Sequence, residues 1–451
     1  MQVRPEITER KDVFLEELFS LIRIPSVSAQ PEHRADMDAC AARWKEILMD
    51  SGADRAETIQ GYGNPLVYAE KIIHPSARTV LLYGHYDVMP PEPLDLWKTD
   101  PFSPVLSEGM IWGRGADDDK GQSMAQVKAF ETVLRSGRLR CNVKFLLEGE
   151  EEIGSPHLDA FLESHRDLLC ADVVVASDTS MLGADMPGIT TGLRGIAYWE
   201  VEVTAAERDL HSGIFGGAVP NPIHALSTMI SRLIDQDGRI TLPGFYDRVE
   251  MVSAEERDMM ASIPHDDLVY RQSLGLQALT GEKGYSTLER TSIRPSLDVC
   301  GIWGGYTGQG VKTVLPSKAY AKISVRLVPF QDYKEISQML EPFLASVAPP
   351  GVKVKVSPMH GGNPYVCPVD LPAYRVAARA YEKTFGKKPI ALRRGGSIPV
   401  ISSFEKVLGL KTILMGFGLE SNAIHSPNEH FPLDLWLKSI ETCACFYETY
   451  G

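Results

Sequence analysis

Apolar runs of strand length alternate with helical periodicity over much of the chain. Four runs rich in Val, Ile, Leu and Phe have the length and composition of buried strands, and they lie at 78–83, 142–147, 172–176 and 411–415. Apolar residues recur at helical spacing over 8–23, 34–51, 119–135, 157–169 and 433–447. Strands that alternate with helices predict an α/β domain whose largely parallel sheet is covered on both faces.

The middle of the chain has a different pattern. Residues 199–203 and 318–327 alternate polar and apolar side chains with period two, which is typical of strands with one face in water. Helical segments at 222–236 and 333–344 accompany them, and 241–300 is predicted to be a helical excursion. We therefore predict an α+β domain at 192–363, inserted between the two parts of the α/β domain at 1–191 and 364–451.

The composition is that of a globular protein with an acidic surface. The chain has 451 residues, of which 44% are hydrophobic and 23% charged, so it is neither disordered nor fibrous. Its 59 acidic and 46 basic side chains give a formal net charge of −13, which disfavours binding to nucleic acid or to a membrane of anionic lipid. The N-terminal residues show no secretory signal, and the seven scattered cysteines suit reduced thiols, so we expect a cytoplasmic protein.

Acids and histidines gather where the predicted parallel strands end. They follow the four strands and occupy the Gly-rich loop before the helix at 119–135, and they are His85, Asp87, Asp117, Asp118, Asp119, Glu151, Glu152, Asp178 and His425. Ligands of open α/β sheets bind outside the carboxyl ends of the strands, so these side chains are expected to converge. Carboxylates packed together raise one another's pKa, and a bound divalent cation removes that conflict. Histidine with Asp and Glu, and without Cys, suits zinc, manganese or cobalt in an open catalytic site.

Each of these acidic runs, taken alone, also has an ordinary structural explanation. The run Asp117–Asp119 would suit the N-terminus of a helix, and Glu150–Glu152 would suit a solvated face. A calcium loop of the EF-hand type is disfavoured because the chain lacks its spaced acids and terminal Glu. The occurrence of these residues at successive strand ends favours the metal site.

A set of motifs runs in order over nearly the whole chain. They are His85-Tyr-Asp87-Val, Gly113-Arg-Gly-Ala-Asp-Asp118-Asp-Lys-Gly121, Glu148-Gly-Glu-Glu151-Glu152-Ile-Gly-Ser155, Arg208-Asp-Leu-His211-Ser-Gly213, Gly216-Gly-Ala-Val-Pro-Asn-Pro222, Lys322-Ile-Ser-Val-Arg326-Leu-Val328, His360-Gly-Gly-Asn-Pro364, Gly395-Gly-Ser397-Ile-Pro399 and His425-Ser-Pro-Asn428-Glu429. Together they resemble the motifs of the M20 metallopeptidases, and most closely those of the cytosolic nonspecific dipeptidase and carnosinase branch. The resemblance implies a mostly parallel, twisted-sheet zinc-peptidase catalytic domain with an inserted, ferredoxin-like α+β domain that serves as lid and dimerisation domain.

The resemblance also implies roles for the clustered acids and histidines. Two divalent metal ions would be bound, with zinc favoured and manganese or cobalt also suitable. Asp118 would bridge the two ions, and the other ligands would be His85 with Asp178 for one ion and Glu152 with His425 for the other. Glu151 would be the general base that accepts a proton from water, and Asp87 would orient His85 through its far ring nitrogen.

The inserted domain would complete the site and bind the substrate. In the family, a histidine matching His211 reaches into the active site of the partner subunit and stabilises the oxyanion, and a threonine matching Thr313 is likewise supplied across the homodimer. Arg326, His360 and Ser397 match residues that hold the C-terminal carboxylate of the substrate, a task that suits the fork of an arginine. Two residues depart from the family pattern: Arg394 stands where related dipeptidases commonly carry Glu, and Asp117 where a neutral residue is common.

Three functions remain open at this point. The leading hypothesis is a metal-dependent hydrolase that cleaves dipeptides or short peptides with a free C-terminal carboxylate. An N-acyl-amino-acid deacylase of the same family would use the same metals and base, and would differ in having an apolar pocket on the amino side. A metal-binding protein without catalysis would need neither Glu151 nor Asp87 nor His211, and their presence argues against it.

Overall fold

The computed structural model describes residues 3–451, except for the side chain of Glu255. Met1 and Gln2, the first residues of the predicted domain at 1–191, therefore lie outside the described residues. The helices are α1 Arg4–Glu9, α2 Lys11–Ile22, α3 Arg34–Asp50, α4 Lys120–Arg135, α5 Leu158–Ser164, α6 Ser212–Phe215, α7 Pro222–Ile230, α8 Ala254–Ala261, α9 Asp267–Ser273, α10 Thr287–Ser292, α11 Tyr333–Ser337, α12 Leu340–Val347, α13 Pro372–Phe385, α14 Pro399–Ser403 and α15 Leu433–Tyr447. None of the helices in the described part of the chain combines the length and apolar character needed to cross a membrane.

The strands are mostly short, and the longest belong to the middle of the chain. They are β1 Arg55–Ile59, β2 Leu66–Lys71, β3 Thr79–His85, β4 Val105–Ser107, β5 Met110–Trp112, β6 Asn142–Glu148, β7 Val173–Ala176, β8 Gly188–Leu193, β9 Gly195–Thr204, β10 Leu210–His211, β11 Ser296–Gly304, β12 Val314–Leu315, β13 Lys318–Leu327, β14 Lys353–Gly362, β15 Tyr365–Val366, β16 Ile390–Arg394, β17 Thr412–Leu414 and β18 His430–Pro432.

The chain forms two compact units. The first comprises residues 1–191, 367–392 and 403–451, and the second comprises 192–366 and 393–402. Residues 393–402, which the sequence assigns to the α/β domain, group with the second unit. One reason is that Arg194 donates a hydrogen bond to the carbonyl oxygen of Gly395, and Arg326 donates one to Ser397 Oγ. The catalytic and lid roles predicted for these parts of the chain remain proposals.

The main sheet of the first unit is mixed and has a parallel centre. Its strand order is β1-β2-β6-β3-β7-β17-β8, and the neighbours among β6, β3, β7 and β17 run parallel. These four strands are the four apolar runs of the sequence, and nearly all their residues are buried, as expected for parallel strands covered on both faces. The sequence pattern missed the flanking strands β1, β2 and β8, which are antiparallel.

The parallel register sets the position of the site. His85 at the end of β3 pairs with Glu148 at the end of β6, and Tyr83 pairs with Ala176 at the end of β7. The residues that follow these strand ends therefore emerge at the same edge of the sheet. Helix α4 begins immediately after the loop of Asp118, and its residues 120–133 are buried. It packs against β3, α2 and α15, which fixes the loop relative to the strand ends.

The second unit contains a four-stranded antiparallel sheet. The strand order is β11-β13-β9-β14, and side chains of α7, α11 and α12 pack on one face around Trp199, Met229 and Leu340. Along β9 every second residue is buried, in agreement with the alternation seen in the sequence. Two predicted helices differ from the structure, since the segment 222–236 is helical only to Ile230 and the segment 333–344 is split into α11 and α12.

The segment 241–300 is only partly the helical excursion that the sequence predicts. It contains α8, α9 and α10, but it ends in the edge strand β11. This strand shows no clean alternation because a bulge lies between Val299 and Gly301, and because Ile302 and Trp303 are both exposed. Because these apolar side chains are exposed, a prediction based on one buried face misses the strand.

Candidate metal centre and active site

The first unit brings two sets of metal-ligand side chains together, and they share one carboxylate. The sets are His85, Asp118 and Asp178, and Asp118, Glu152 and His425; in each set one ligand atom per residue lies within 4.8 Å of the others. His85 Nε2 is 3.2 Å from Asp118 Oδ1 and 3.9 Å from Asp178 Oδ2. His425 Nε2 is 2.8 Å from Asp118 Oδ2 and 3.4 Å from Glu152 Oε2. Asp118 thus turns one oxygen to each histidine, which is the arrangement of a bridging ligand.

The donor groups fit two divalent cations. Each set offers one imidazole nitrogen and two carboxylates, three protein ligands of the kind that open catalytic zinc sites use. His85 Nε2 is fully buried, and within the described residues it has no hydrogen-bond partner, although two carboxylates face it. A buried nitrogen that has no hydrogen bond and faces two carboxylates fits the role of a metal ligand.

The acids of the cluster conflict electrostatically. Burial, together with the neighbouring Asp118, raises the pKa of Glu152 to about 10 and that of Asp178 to about 6. Burial also raises the pKa of Glu151 well above its ordinary value. Burial would raise the pKa of Asp118 too, but its contacts with His425 and His85 lower it. A cation between these groups would allow all the carboxylates to ionise together.

Asp87 ties the end of β3 to the turn that carries Glu151 and Glu152. Its Oδ1 lies 3.4 Å from His85 Nδ1 and accepts a hydrogen bond from the backbone N–H of Glu151 at 3.2 Å. Its Oδ2 accepts from the N–H of Glu152 at 3.0 Å and from Ser28 Oγ at 2.7 Å. Asp87 can therefore orient His85, as the sequence suggests, and it also fixes the backbone of the predicted base and ligand.

The close approach of Asp119 to the end of β3 requires a glycine. Asp119 Oδ2 accepts hydrogen bonds from Ser123 Oγ at 2.6 Å and from the backbone N–H of His85 at 3.2 Å. A Cβ atom at Gly84 would lie 1.9 Å from Ser123 Oγ and 2.9 Å from Asp119 Oδ2, so no larger residue fits there. Sequence reasoning gave neither Asp119 nor Ser28 a role, and the only signal for Asp119 was its place in the acidic loop.

Asp117 lies in the same loop, but among the described residues it belongs to neither ligand set. Its side chain is buried, and Oδ2 accepts a hydrogen bond from Asn422 Nδ2 at 2.8 Å. Burial raises the pKa of Asp117 well above its ordinary value, with Glu429 and Asp118 adding to the effect. The extra acid is thus a packing group of the loop in this structure.

The predicted carboxylate-binding residues meet within the second unit. Arg326 donates a hydrogen bond to Ser397 Oγ at 2.8 Å. The ring of His360 stacks on Tyr198 at 5.2 Å between centroids, and its partial burial together with the Arg326 cation lowers the pKa of His360. Arg194, to which the motifs assign no role, is a second cation here: burial and then Arg326 lower its pKa to about 10.

The two residues predicted to act across a dimer also lie together. His211 and Thr313 are exposed, and His211 Nε2 is 3.5 Å from Thr313 Oγ1. His211 Nδ1 accepts a hydrogen bond from the backbone N–H of Gly213 at 3.1 Å, which holds the ring at the start of α6. Arg394 is the last residue of β16 and is half-buried.

Known proteins match this chain over nearly its full length. Residues 81–450 match peptidase family M20/M25/M40. The Cys-Gly metallodipeptidase dug1 of Schizosaccharomyces pombe is 33% identical over 98% of this chain and 96% of its own, and the Beta-Ala-His dipeptidase of Homo sapiens is 31% identical over 97% of this chain and 90% of its own. The solved structure of the M20 family metallo-carboxypeptidase Sso-CP2 from Sulfolobus solfataricus is similar with a TM-score of 0.88 and 32% identity, covering 97% of this chain and 99% of that one. The chain therefore belongs to peptidase family M20.

Proposed function

We propose that the protein is a two-metal dipeptidase that hydrolyses dipeptides or short peptides with a free C-terminal carboxylate. The observation that carries the proposal is the pair of ligand sets that share Asp118, with Glu151 beside them. Two divalent cations held there would polarise the peptide carbonyl and make water acidic enough to lose its proton near neutral pH. The curated relatives, named as Cys-Gly and Beta-Ala-His dipeptidases, support this reaction over the deacylation of acyl amino acids.

Glu151 is the residue proposed to move the proton. It is adjacent to Glu152 and lies outside both ligand sets found among residues 3–451, so its carboxylate remains available. The hydrogen bond from its backbone N–H to Asp87 holds it at the edge of the site. We propose that Glu151 takes the proton of the attacking water and later delivers it to the leaving amine, and a positioned general base typically contributes about 100-fold to 10,000-fold in rate.

The second unit supplies the groups proposed for the substrate carboxylate. Arg326, hydrogen bonded to Ser397 and close enough to His360 to lower its pKa, presents a cation beside neutral donors. A guanidinium binds a carboxylate with two parallel hydrogen bonds, which favours peptides that end in a free carboxylate. Amidated peptides should therefore be poor substrates.

Zinc is the metal that we propose, because His, Asp and Glu are all zinc ligands and open catalytic zinc sites use three protein ligands. Manganese and cobalt accept the same donor set, so the choice among them is open to experiment. All seven cysteines are free thiols, which suits a reducing compartment, and on that basis we propose the cytoplasm.

A substrate panel tests the proposed reaction. Dipeptides, tripeptides, C-terminally amidated dipeptides and N-acetyl amino acids would be offered to protein loaded with zinc, manganese or cobalt. The proposal predicts the highest kcat/KM for dipeptides with a free carboxylate. Hydrolysis of acetyl amino acids without hydrolysis of dipeptides would support the deacylase, and a clear preference for longer peptides would support a carboxypeptidase.

We also propose that two copies of the chain form a homodimer through the surface around His211 and Thr313. Exposed apolar side chains surround these residues: Ile214 on α6 is 72% exposed, and Val311, two residues before Thr313, is 99% exposed. The apolar residues Ile302 and Trp303 of the edge strand β11 are exposed as well. Where exposed apolar side chains form one contiguous patch, that patch is typical of a protein interaction site.

Subunit mixing tests the dimer and its shared site. In the proposed arrangement, His211 and Thr313 of one subunit act at the metal centre of the other. A heterodimer of His211→Ala and Glu151→Ala subunits would then contain one complete site, and activity well above that of either homodimer is expected. A purified heterodimer without any recovered activity would contradict the exchange of residues between subunits.

A further inference from the structure

Two loops that carry predicted metal ligands adjoin two strand ends that are paired with each other. Strand β5 ends at Trp112, directly opposite His430 at the start of β18. The loop after β5 leads to Asp118, and the loop before β18 contains His425. The first contact between the loops is a backbone hydrogen bond from Gly113 N–H to the carbonyl oxygen of Glu429 at 3.1 Å. Asp118 and His425 are thus brought together by loops that are far apart in the sequence.

The side chain of Glu429 joins the two loops through four more hydrogen bonds. Oε1 accepts from the backbone N–H groups of Asp117 at 3.0 Å and Asp118 at 3.1 Å. Oε2 accepts from the N–H of Gly115 at 3.0 Å and from Arg114 Nη1 at 2.8 Å. The side chain of Glu429 is fully buried, so water cannot replace these partners. Every one of them lies within the segment 114–118.

We propose that Glu429 is a positioning residue. It holds the bridging carboxylate of Asp118 beside His425, where both would bind the ion of the set that contains Glu152. The inference rests on the metal ligands proposed above, and it adds a residue that belongs to neither ligand set among the described residues. Glu429 acts through the backbone of Asp118 and does not touch the substrate. Groups that orient metal ligands in this way typically change metal affinity by about 10-fold to 100-fold when they are altered.

The substitution Glu429→Gln separates this role from simple packing. Glutamine has nearly the same shape, but one of its two terminal atoms donates hydrogen bonds. Whichever way the amide turns, two donors of the segment 114–118 face a donor in place of an oxygen. The loop can relieve that conflict only by moving, and Asp118 moves with it.

A matched control exists in the same unit. Glu131 on α4 is also buried and accepts hydrogen bonds from Arg10 and Lys128, and none of the three belongs to either ligand set. Glu131→Gln therefore removes a buried, hydrogen-bonded carboxylate without touching the loop of Asp118. Any loss of metal binding that follows only from a less stable unit should appear in this variant too.

The test is a competition titration of zinc against a chromophoric chelator, with wild type, Glu429→Gln, Glu429→Asp and Glu131→Gln. Binding of two ions by wild type supports the ligand sets. If wild type does not bind two ions, that result refutes the proposed function itself, whatever the Glu429 variants show. We expect at least one of the two ions to bind at least 10-fold less tightly to Glu429→Gln, and roughly 3-fold to 10-fold less tightly to Glu429→Asp. Glu131→Gln should retain wild-type affinities.

Unchanged affinities in the folded Glu429 variants would overturn the inference, as would an equal loss in Glu131→Gln. If Glu429→Gln does not fold, Glu429→Asp decides the question, because it keeps the charge and both oxygens on a shorter stem. Since the readout is metal affinity, the result does not depend on the identity of the substrate.

Discussion

The substitution Asp87→Asn should lower the kcat/KM of the enzyme without removing a proposed metal ligand. The carboxylate of Asp87 accepts hydrogen bonds from Ser28 and from the backbone N–H groups of Glu151 and Glu152, and it also faces His85. An amide must turn its NH₂ group toward one of the two backbone N–H groups. A buried donor left without an acceptor costs about 1–3 kcal/mol, which corresponds to roughly 5-fold to 150-fold in an equilibrium constant. Since the affected residues are the proposed base and a proposed ligand, we expect kcat/KM to fall by about the same factor.

Steady-state kinetics at saturating metal, together with urea unfolding, would measure this effect. Ser28→Ala is the matched control, because it removes one donor from the same carboxylate and leaves both backbone contacts intact. That variant should lose at most about 3 kcal/mol of the free energy of unfolding, the upper value for a hydrogen bond to a charged group, and it should retain most of the kcat/KM. If Asp87→Asn kept the wild-type kcat/KM, or if the kcat/KM of Ser28→Ala fell by the same factor, the proposed role of Asp87 in fixing the turn of Glu151 would be refuted.

Three further predictions concern the carboxylate site, a buried acid and the metal. Arg326→Lys should raise KM for dipeptides at least ~10-fold with little change in kcat, because lysine cannot form the paired hydrogen bonds of a guanidinium; a fall in kcat at constant KM would contradict this role. Burial raises the pKa of Glu148 to about 8. Between pH 5 and 8 the folded protein therefore keeps a proton that the unfolded chain releases. As a result, the free energy of unfolding should fall as the pH rises over this range. In metal-free protein, Glu148→Gln should lessen this slope by up to about 1.4 kcal/mol per pH unit, as measured by urea unfolding, and identical slopes would refute the assignment. Removal of metal with a chelator should abolish hydrolysis, and added zinc, manganese or cobalt should restore it; activity that survives complete removal would exclude the metal mechanism.

Much of the first unit follows from the sequence because its strands are buried on both faces. The runs that became β3, β6, β7 and β17 are largely apolar and almost wholly buried, and such runs predict parallel strands of an α/β sheet. Once the strands are parallel, their carboxyl ends must meet at one edge. The convergence of the five predicted ligands is therefore a consequence that the sequence pattern could reach.

Other features depend on contacts between distant residues. Glu429 and Asp118 are 311 positions apart, and no local pattern indicates that one side chain holds the backbone of the other. The same holds for Arg194 and Gly395, which are 201 positions apart and place residues 393–402 in the second unit. Strand β11 was missed for a different reason, since its exposed apolar side chains and its bulge hide the alternation that marks a strand.

Glu151 is the proposed base of a metal-bound site, and a single substitution separates that role from metal binding. Glu151→Gln should be measured for bound metal and for dipeptide turnover in the same preparation. If Glu151 is the base, this variant binds two metal ions per chain, as wild type does, and its kcat falls at least ~100-fold. Two bound ions with wild-type turnover would contradict that role.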